Sequence, residues 1–305
     1  MSRMTGYSRP QGLAENSGGF RTSPGGVDAR LRQVLDVLRC HPLADAQDVL
    51  DVGIGAGQIS KWLAEQGKRV TGTGLAMESY ESDLEQLKTK YGIQIVECPA
   101  DDMPFEDGSF DAVVMSHVLE HCPNVGAALA EAWRVLRDGG YLHVFVPASS
   151  IRVVPGHVSV GWVVGQLMYV LLVAGFDVRA GKFIRHGYSV CACVRKNAAM
   201  ELPCLRGDTG DLLLLWDAGL LPVSVAKGFG RCDGFHGDLE HINWTSQELS
   251  RLQTPGSAKF RMLQRLAILM LSLLPLQCRE LLTRFTLESM AATWTKRLQN
   301  SKAGD

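Results

Sequence analysis

Short apolar runs alternate along the chain with segments whose apolar residues recur at helical spacing. The apolar runs predict five strands, at residues 49–52, 68–75, 93–97, 110–115 and 141–146. Helical spacing predicts intervening helices that begin near residues 27, 58, 78, 125 and 161. This alternation predicts an α/β fold with an open parallel sheet, whose ligands bind at the carboxyl ends of the strands.

The ends of several predicted elements are marked by proline or glycine. The helix from Val27 should end near Pro42, and it would cover the sheet edge or the mouth of the ligand site. The helix from Val125 should end at 139–140, a glycine pair, and the apolar helix 161–174 at the following glycine. Strand-like segments at 176–178 and 188–194 follow this helix.

A glycine-rich turn follows the first strand, in the stretch Asp51-Val52-Gly53-Ile54-Gly55-Ala56-Gly57. Closely spaced glycines before a helix allow backbone N–H groups to approach a ligand. The dinucleotide-binding pattern G-x-G-x-x-G is not met, because Gln58 stands where its third glycine would be. A tight turn without any ligand is the alternative interpretation.

Composition and charge argue against some functions and indicate where the protein is located. The formal net charge is 31 − 32 = −1, which argues against a nucleic-acid surface. The eight cysteines include no Cys-x-x-Cys pair, a pattern typical of reduced thiols in a cytosolic protein. The first residues contain no apolar signal core, so we expect a cytoplasmic location.

Four motifs in order resemble those of class I S-adenosylmethionine-dependent methyltransferases, in particular the ubiquinone and menaquinone methyltransferases. They are the glycine turn and the segments 101–111, 116–121 and 134–140, and the resemblance spans residues 47–148. It implies a Rossmann-like, doubly wound sheet of seven strands, mostly parallel with a C-terminal antiparallel hairpin. It also implies S-adenosyl-L-methionine as the cofactor.

The resemblance assigns the cofactor to residues at the strand ends. The implied cofactor-binding residues are Asp51, Gly53, Gly55, Gly57, Gly74, Leu75, Ala100, Asp101, Ser116 and His117. Two family carboxylates are missing, because this chain has Gly74 where the ribose is usually held and Pro99 beside the adenine position. Glu78 or the backbone of Gly74 and Leu75 could replace them, and a weakened cofactor site is the alternative.

Methyl transfer to an alcohol benefits from a base, and an imidazole titrates in the useful range. His117 and His121 lie in the motif after the fourth strand, and His157 follows the fifth strand. All three are candidate catalytic residues, and our hypothesis is that His157 faces the acceptor. The alternative is that His117 and His121 only start a helix and pack.

The residues beyond the common core bear on the acceptor. A subgroup of bacterial methyltransferases associated with cell-surface polysaccharide is resembled by the segments 156–162, 167–169, 174–178, 202–203, 210–212 and 237–244. This weaker resemblance implies a sugar hydroxyl as acceptor. A quinone-like small molecule is the first alternative, and a non-catalytic scaffold that binds the cofactor or a partner is the second.

The pattern divides the chain into four segments. They are a mobile N-terminal segment 1–26, a methyltransferase domain 27–196, an acceptor-side segment 197–254 and a basic amphipathic tail 255–305. The tail carries a net charge of 8 − 3 = +5, so it could lie on an anionic membrane surface or form a homodimer. The spacing of Asp233, His236 and His241 fits no metal site, and we expect no metal.

Overall fold

The computed structural model describes residues 26–40, 43, 45–75, 77–148, 156–207, 210–222 and 239–252. The strands are β1 Asp48–Val52, β2 Arg69–Gly74, β3 Gln94–Glu97, β4 Phe110–Ser116, β5 Leu136–Pro147, β6 Phe176–His186, β7 Ser189–Lys196 and β8 His241–Ile242. The α-helices are α1 Gly26–Cys40, α2 Gln58–Glu65, α3 Glu81–Tyr91, α4 Val125–Val135, α5 Val164–Val173, α6 Asp211–Asp217 and α7 Ser246–Leu252. Short 3₁₀ turns occupy Met77–Tyr80 and Leu119–His121.

These strands form one sheet in the order β3-β2-β1-β4-β5-β7-β6-β8. The first five strands along the chain pair in parallel, whereas β7 is antiparallel to both β5 and β6. The predicted doubly wound α/β sheet with a C-terminal antiparallel hairpin is therefore confirmed. The predicted number of seven strands is one too few, because β8 adds a two-residue strand to the edge of β6. Two residues are too few to show a period in the sequence.

The junction between α4 and β5 differs from the prediction. We expected the glycine pair to stop the helix, but α4 ends at Val135 and β5 begins at once with Leu136. Gly139 has a φ of 75°, and a Cβ on Gly140 would lie 2.9 Å from the carbonyl oxygens of Arg137 and Asp111. The two glycines therefore allow the shift in register that occurs where β4 pairs with β5.

The central strands are buried on both faces, as parallel strands between two helix layers should be. Four consecutive residues of β4, Ala112 to Met115, have no solvent exposure. Helix α1 buries Val34, Val37 and Leu38 against the domain and ends before Pro42, as predicted. The apolar helix α5 begins at Val164, three residues later than predicted. Because the first five strands are parallel, the loops at their carboxyl ends lie together on one side of the sheet.

The chain divides into two compact units, Met1–Glu248 and Leu249–Asp305. The predictions for the N-terminal segment up to residue 25 and for the tail 255–305 lie outside the described residues. In the part of the chain that the structure describes, no helix is both long enough and apolar enough to cross a bilayer. The sheet and all site residues below belong to the first unit.

Candidate cofactor and active site

Two adjoining cavities open at the carboxyl ends of β1, β2 and β4. Cavity A, of about 320 Å³, is lined by residues that include Gly74, Ala100, Asp101 and His121. Cavity B, of about 200 Å³, lies between α1 and the glycine turn. Gly53 and His117 line both cavities, so the two meet at these residues. The volume of cavity A lies at the lower end of the range of roughly 300–1,000 Å³ that is usual for ligand sites, and cavity B adds to it.

The glycine turn holds three residues in the left-handed region, with φ of 75° at Gly53, 51° at Gly55 and 69° at Gly57. A Cβ on Gly53 would overlap Cγ2 of Val118, so a side chain there would have to displace the wall of cavity A. Gly55 lines cavity B. These bare backbone positions fit a ligand that lies against the main chain.

Gly57, which the resemblance assigned to the cofactor, lines neither cavity in the structure. It is the N-cap residue of α2, and a Cβ there would overlap Cδ1 of Leu87 on α3. Its N–H group donates to the carbonyl of Ile54 at 2.8 Å, which closes the turn. Gly57 therefore shapes the turn through packing.

Asp51 is buried, with 2% of its surface exposed, and points to the start of α2. Its Oδ2 accepts a hydrogen bond of 2.6 Å from the hydroxyl of Ser60. Burial raises the pKa of the Asp51 carboxyl to about 6, against the hydrogen bonds from Ser60 that lower it. Asp51 is absent from the described lining of both cavities. Its hydrogen bond with Ser60 holds the glycine turn to α2, and its contact with a cofactor remains a prediction.

The second and third strands bring Gly74, Leu75, Ala100 and Asp101 to cavity A, as the resemblance implied. A Cβ on Gly74 would have ordinary contacts, the nearest being Met77 Sδ at 3.5 Å. Packing therefore does not require glycine where the family usually has a carboxylate. Among the described residues that line cavity A, Asp101 is the only one with a carboxyl group. The side chain of Glu78, the other suggested replacement, lies outside the described residues.

Arg134 of α4 holds the loop that carries Asp101. Its guanidinium donates to the backbone carbonyls of Met103 at 2.8 Å and Phe105 at 2.6 Å, and it forms ion pairs with Glu131 and Asp107. The hydrogen bond from Arg134 lowers the pKa of Glu131, whose Oε2 also accepts from the N–H group of Met103 at 2.9 Å. These contacts give a structural reason for the presence of both motifs, 101–111 and 134–140, in one sequence.

His117 lies at the meeting point of the two cavities and has an unusual backbone conformation. Its φ is 58°, a value that is uncommon for a residue other than glycine. Residues with such backbone conformations are concentrated at functional sites. Its N–H group donates to the carbonyl of Phe145 in β5 at 2.8 Å. Its ring nitrogens contact two buried groups, with Nδ1 3.0 Å from Glu120 Oε1 and Nε2 3.2 Å from Ser189 Oγ.

His121 and His157 pack together beside Glu120. Their ring centroids are 4.9 Å apart and the rings are nearly perpendicular, at 84°. His121 lines cavity A, whereas His157 lines neither cavity. Burial lowers the pKa of His157; Glu120 opposes this effect, and His121, His117 and Arg30 add to it. The structure therefore brings all three predicted histidines around one carboxyl group.

Sequence reasoning missed Glu120 and the residues that α1 contributes. Glu120 lies between two candidate histidines in the motif 116–121, and that position was the available signal. Helix α1 does cover the ligand site, as one of the two predicted alternatives, and it places Arg30, Leu31 and Val34 in cavity B. The Arg30 guanidinium also lies 4.5 Å from the ring centroid of Tyr188. In the sequence, nothing distinguishes Arg30 from other arginines of amphipathic helices, so its position in cavity B could not be predicted.

Comparison with known proteins agrees with this geometry. Residues 50–144 match the family described as "Methyltransferase domain", and this range contains the glycine turn, Asp101 and His117. Residues 50–144 form a class I methyltransferase domain. The chain is similar to sterol 4-C-methyltransferase strm-1 of Caenorhabditis elegans, with 31% identity over 125 residues, 38% of this chain and 37% of that protein.

A second relative is the ubiquinone/menaquinone biosynthesis C-methyltransferase UbiE of Rhizobium johnstonii. It is 36% identical over 104 residues, which cover 32% of this chain and 40% of the relative. The chain therefore spans about two fifths of the length of these curated relatives.

Two solved structures share the fold of the methyltransferase domain. One is from a complex of the Haloferax volcanii Trm112 methyltransferase activator with a methyltransferase, with a TM-score of 0.51, 15% identity and coverage of 58% of this chain and 93% of that chain. The other is the PH0226 protein of Pyrococcus horikoshii, with a TM-score of 0.51, 17% identity and coverage of 61% and 100%. At these identities the likeness concerns the fold alone.

S-adenosylmethionine is the cofactor of the class I methyltransferase domain, and the site fits it. The decisive feature is the bare main chain of Gly53, which lines both cavities where they meet, and of Gly55, which lines cavity B. Gly53 and Gly55 would hold the methionine portion against bare main chain, and Ala100 and Asp101 lie where the adenine is expected. Ser116 and His117 line the cavities beside the expected sulfonium position.

Proposed function

We propose that the chain is an S-adenosylmethionine-dependent methyltransferase that methylates a hydroxyl group of a small molecule or glycan. The observation that supports it is the junction of the two cavities at His117, a histidine backed by the buried carboxyl group of Glu120. The finer proposal, a sugar hydroxyl in cell-surface polysaccharide biosynthesis, draws on the resemblance of the segments after residue 155.

The protein's part in this reaction is to position the acceptor and take up a proton. The bound cofactor supplies a sulfonium methyl that is already activated, so alignment of the acceptor oxygen with the S–C bond is the main requirement. Cavity B is bounded on one side by α1, whose Leu31 and Val34 give it an apolar wall opposite the glycine turn. An acceptor held there or in the adjoining cavity would meet His117.

His117 is the proposed proton acceptor. Its Nδ1 pairs with Glu120, which would stabilise the imidazolium that forms when Nε2 takes the hydroxyl proton. The hydroxyl of Ser189, 3.2 Å from Nε2, marks where the acceptor oxygen would compete for that nitrogen. His121 and His157 lie next in the cluster, and we keep the hypothesis that His157 faces the acceptor.

A second candidate is a quinone-like or sterol acceptor. The names of the relatives, a sterol 4-C-methyltransferase and a ubiquinone/menaquinone C-methyltransferase, favour it. In that reaction the proton would leave a carbon atom, and the same imidazole cluster could accept it. A non-catalytic scaffold that only binds the cofactor is the third outcome of the experiment.

The experiment has a binding step and a transfer step. Calorimetry should show that S-adenosylhomocysteine binds the purified chain, and the labelled methyl group of S-adenosylmethionine should then appear on one class of acceptor. The panel contains nucleotide sugars and lipid-linked glycans, quinone precursors, and sterols. No binding at millimolar ligand would refute the proposal, and binding without transfer to any class would favour the scaffold.

A matched pair of glycine variants tests the position of the cofactor. Gly53→Ala should abolish S-adenosylhomocysteine binding, because the new Cβ overlaps Cγ2 of Val118 and would displace this part of the wall of cavity A. Gly67→Ala is the control, since Gly67 also has a positive φ, 79°, but has no atom within 4 Å of an added Cβ. Both variants carry the backbone strain, so equal binding by the two would place the cofactor elsewhere.

The proposals on location and partners concern mainly the tail 255–305. We propose a cytoplasmic protein whose basic tail contacts an anionic membrane surface or forms a homodimer. Co-sedimentation with anionic vesicles at low salt and sedimentation velocity distinguish these two roles. A monomer that does not sediment with vesicles would remove both.

A further inference from the structure

The cluster beside cavity A has the composition of a metal site. Glu120, His121 and His157 each offer one ligand atom, and these atoms all lie within 4.8 Å of one another. Glu120 and His121 belong to the 3₁₀ turn after β4, whereas His157 follows β5. Two backbone hydrogen bonds join the two segments, from the N–H groups of Val158 at 2.8 Å and Ser159 at 3.1 Å to the carbonyl of Glu120. The three side chains are therefore held together by the fold.

The buried carboxyl group has one oxygen without a partner. Glu120 is 1% exposed, and its Oε1 is engaged by Nδ1 of His117. No described residue forms a hydrogen bond with Oε2, which is itself buried. An unsatisfied buried polar atom destabilises the fold, and the effect is larger when the atom is charged. A cation bound to Oε2 would remove this penalty.

The two imidazoles are prepared to act as ligands. Nδ1 of His121 lies 2.9 Å from the carbonyl oxygen of Gly156, which can only accept, so Nδ1 carries the hydrogen and Nε2 keeps its lone pair. A hydrogen bond from the second ring nitrogen to a backbone carbonyl is the usual support of a metal-bound histidine. His157 is half-buried beside it, with a ring centroid 4.9 Å from that of His121.

We propose that Glu120, His121 and His157 bind a divalent transition-metal ion whose remaining coordination positions open toward cavity A. Two imidazoles and one carboxylate suit Zn²⁺, Mn²⁺ or Fe²⁺, and three protein ligands leave positions for substrate. The sequence analysis predicted no metal and considered only Asp233, His236 and His241; His157 lies 36 positions after His121, a separation that matches no metal-ligand spacing. The tertiary structure brings the ligands together.

The role of this ion rests on the proposed function. A hydroxyl oxygen of the acceptor would occupy an open position, where the ion lowers the pKa of the O–H group. The proton passes to His117 as the oxygen forms a bond to the methyl carbon. The electrons of the breaking C–S bond return to sulfur, which becomes a neutral thioether, so charge and atoms balance.

The test uses the full chain, freed of metal by a chelator, with Co²⁺ alone as the probe. Calorimetry should show one ion per chain, and the visible absorption of bound Co²⁺ should indicate nitrogen and oxygen ligands. Glu120→Gln and His157→Ala should each weaken binding roughly 10–100-fold. His241→Ala, which removes an exposed histidine on β8, and Cys122→Ser, which removes a thiol near the cluster, should leave binding unchanged.

Several results would overturn the metal site. They are the absence of Co²⁺ binding at millimolar concentration, equal binding by the Glu120→Gln and His241→Ala variants, or a thiolate charge-transfer band that Cys122→Ser removes. His157→Ala guards against misfolding, since His157 is only half-buried and its variant should keep the melting temperature of the parent. The measurement needs neither cofactor nor acceptor, so its failure is separate from failure of methyl transfer.

Discussion

Replacement of Asp51 by asparagine should stabilise the fold at neutral and alkaline pH. The carboxyl group is 2% exposed, and burial raises its pKa to about 6. A carboxyl group with a raised pKa in the folded state binds its proton more tightly there than in the unfolded chain. The fold therefore loses stability as the pH rises from the ordinary pKa of 3.8 to about 6.

The magnitude follows from the two pKa values. One pKa unit corresponds to about 1.36 kcal/mol, so the difference between about 6 and 3.8 destabilises the fold by about 3 kcal/mol at pH 8. At pH 5 the same relation leaves about 1.6 kcal/mol, because most folded molecules are then protonated. Asparagine has the same shape and its oxygen can still accept from Ser60, but it carries no charge. We expect Asp51→Asn to gain up to about 3 kcal/mol at pH 8 and about half of that at pH 5.

The assay is urea unfolding followed by circular dichroism at pH 5 and pH 8. Asp177→Asn provides a control of opposite sign, because the hydrogen bond from Arg179 lowers the pKa of Asp177 to about 2. The stabilisation that Asp177 contributes is present above pH 4 and is lost as the pH falls toward 2, so its variant should be less stable at pH 8. An Asp51→Asn variant that loses stability at pH 8, or gains equally at both pH values, would refute the reasoning.

Two further predictions concern the walls of cavity A. Gly74→Asp should tighten S-adenosylhomocysteine binding by about 1.5–3 kcal/mol, roughly 10–160-fold, because a Cβ fits there and the new carboxylate restores the missing partner of the ribose. Calorimetry checks this, with Gly92→Asp at a solvent-exposed glycine as the control, and unchanged affinity would contradict it. Arg134→Met should lower stability by about 1–3 kcal/mol, because two backbone carbonyls lose their charged donor, and should weaken cofactor binding by loosening the loop that carries Asp101. Thermal unfolding measures the first effect and calorimetry the second, and an unshifted melting temperature would contradict the prediction.

Much of the fold follows from local features of the sequence. The apolar runs, the helical spacing and the glycines after Asp51 predict most strands and helices to within a few residues, because those patterns depend on neighbours in the chain. The resemblance of the motifs implied the cofactor, and the structure places Gly53, Gly74, Ala100 and Asp101 around one cavity. The start of β5 and the existence of β8 depend on pairing with distant strands, and local pattern could not show them.

The sequence by itself determined an α/β sheet with a glycine-lined ligand edge. Only the tertiary structure decided what each residue at that edge does. It turned Asp51 toward Ser60, placed Gly57 beneath Leu87, and gathered His121 and His157 around Glu120. The physical reason is that the burial, partners and pKa of a side chain depend on residues that it meets only in the folded chain, several of which lie tens of positions away in the sequence.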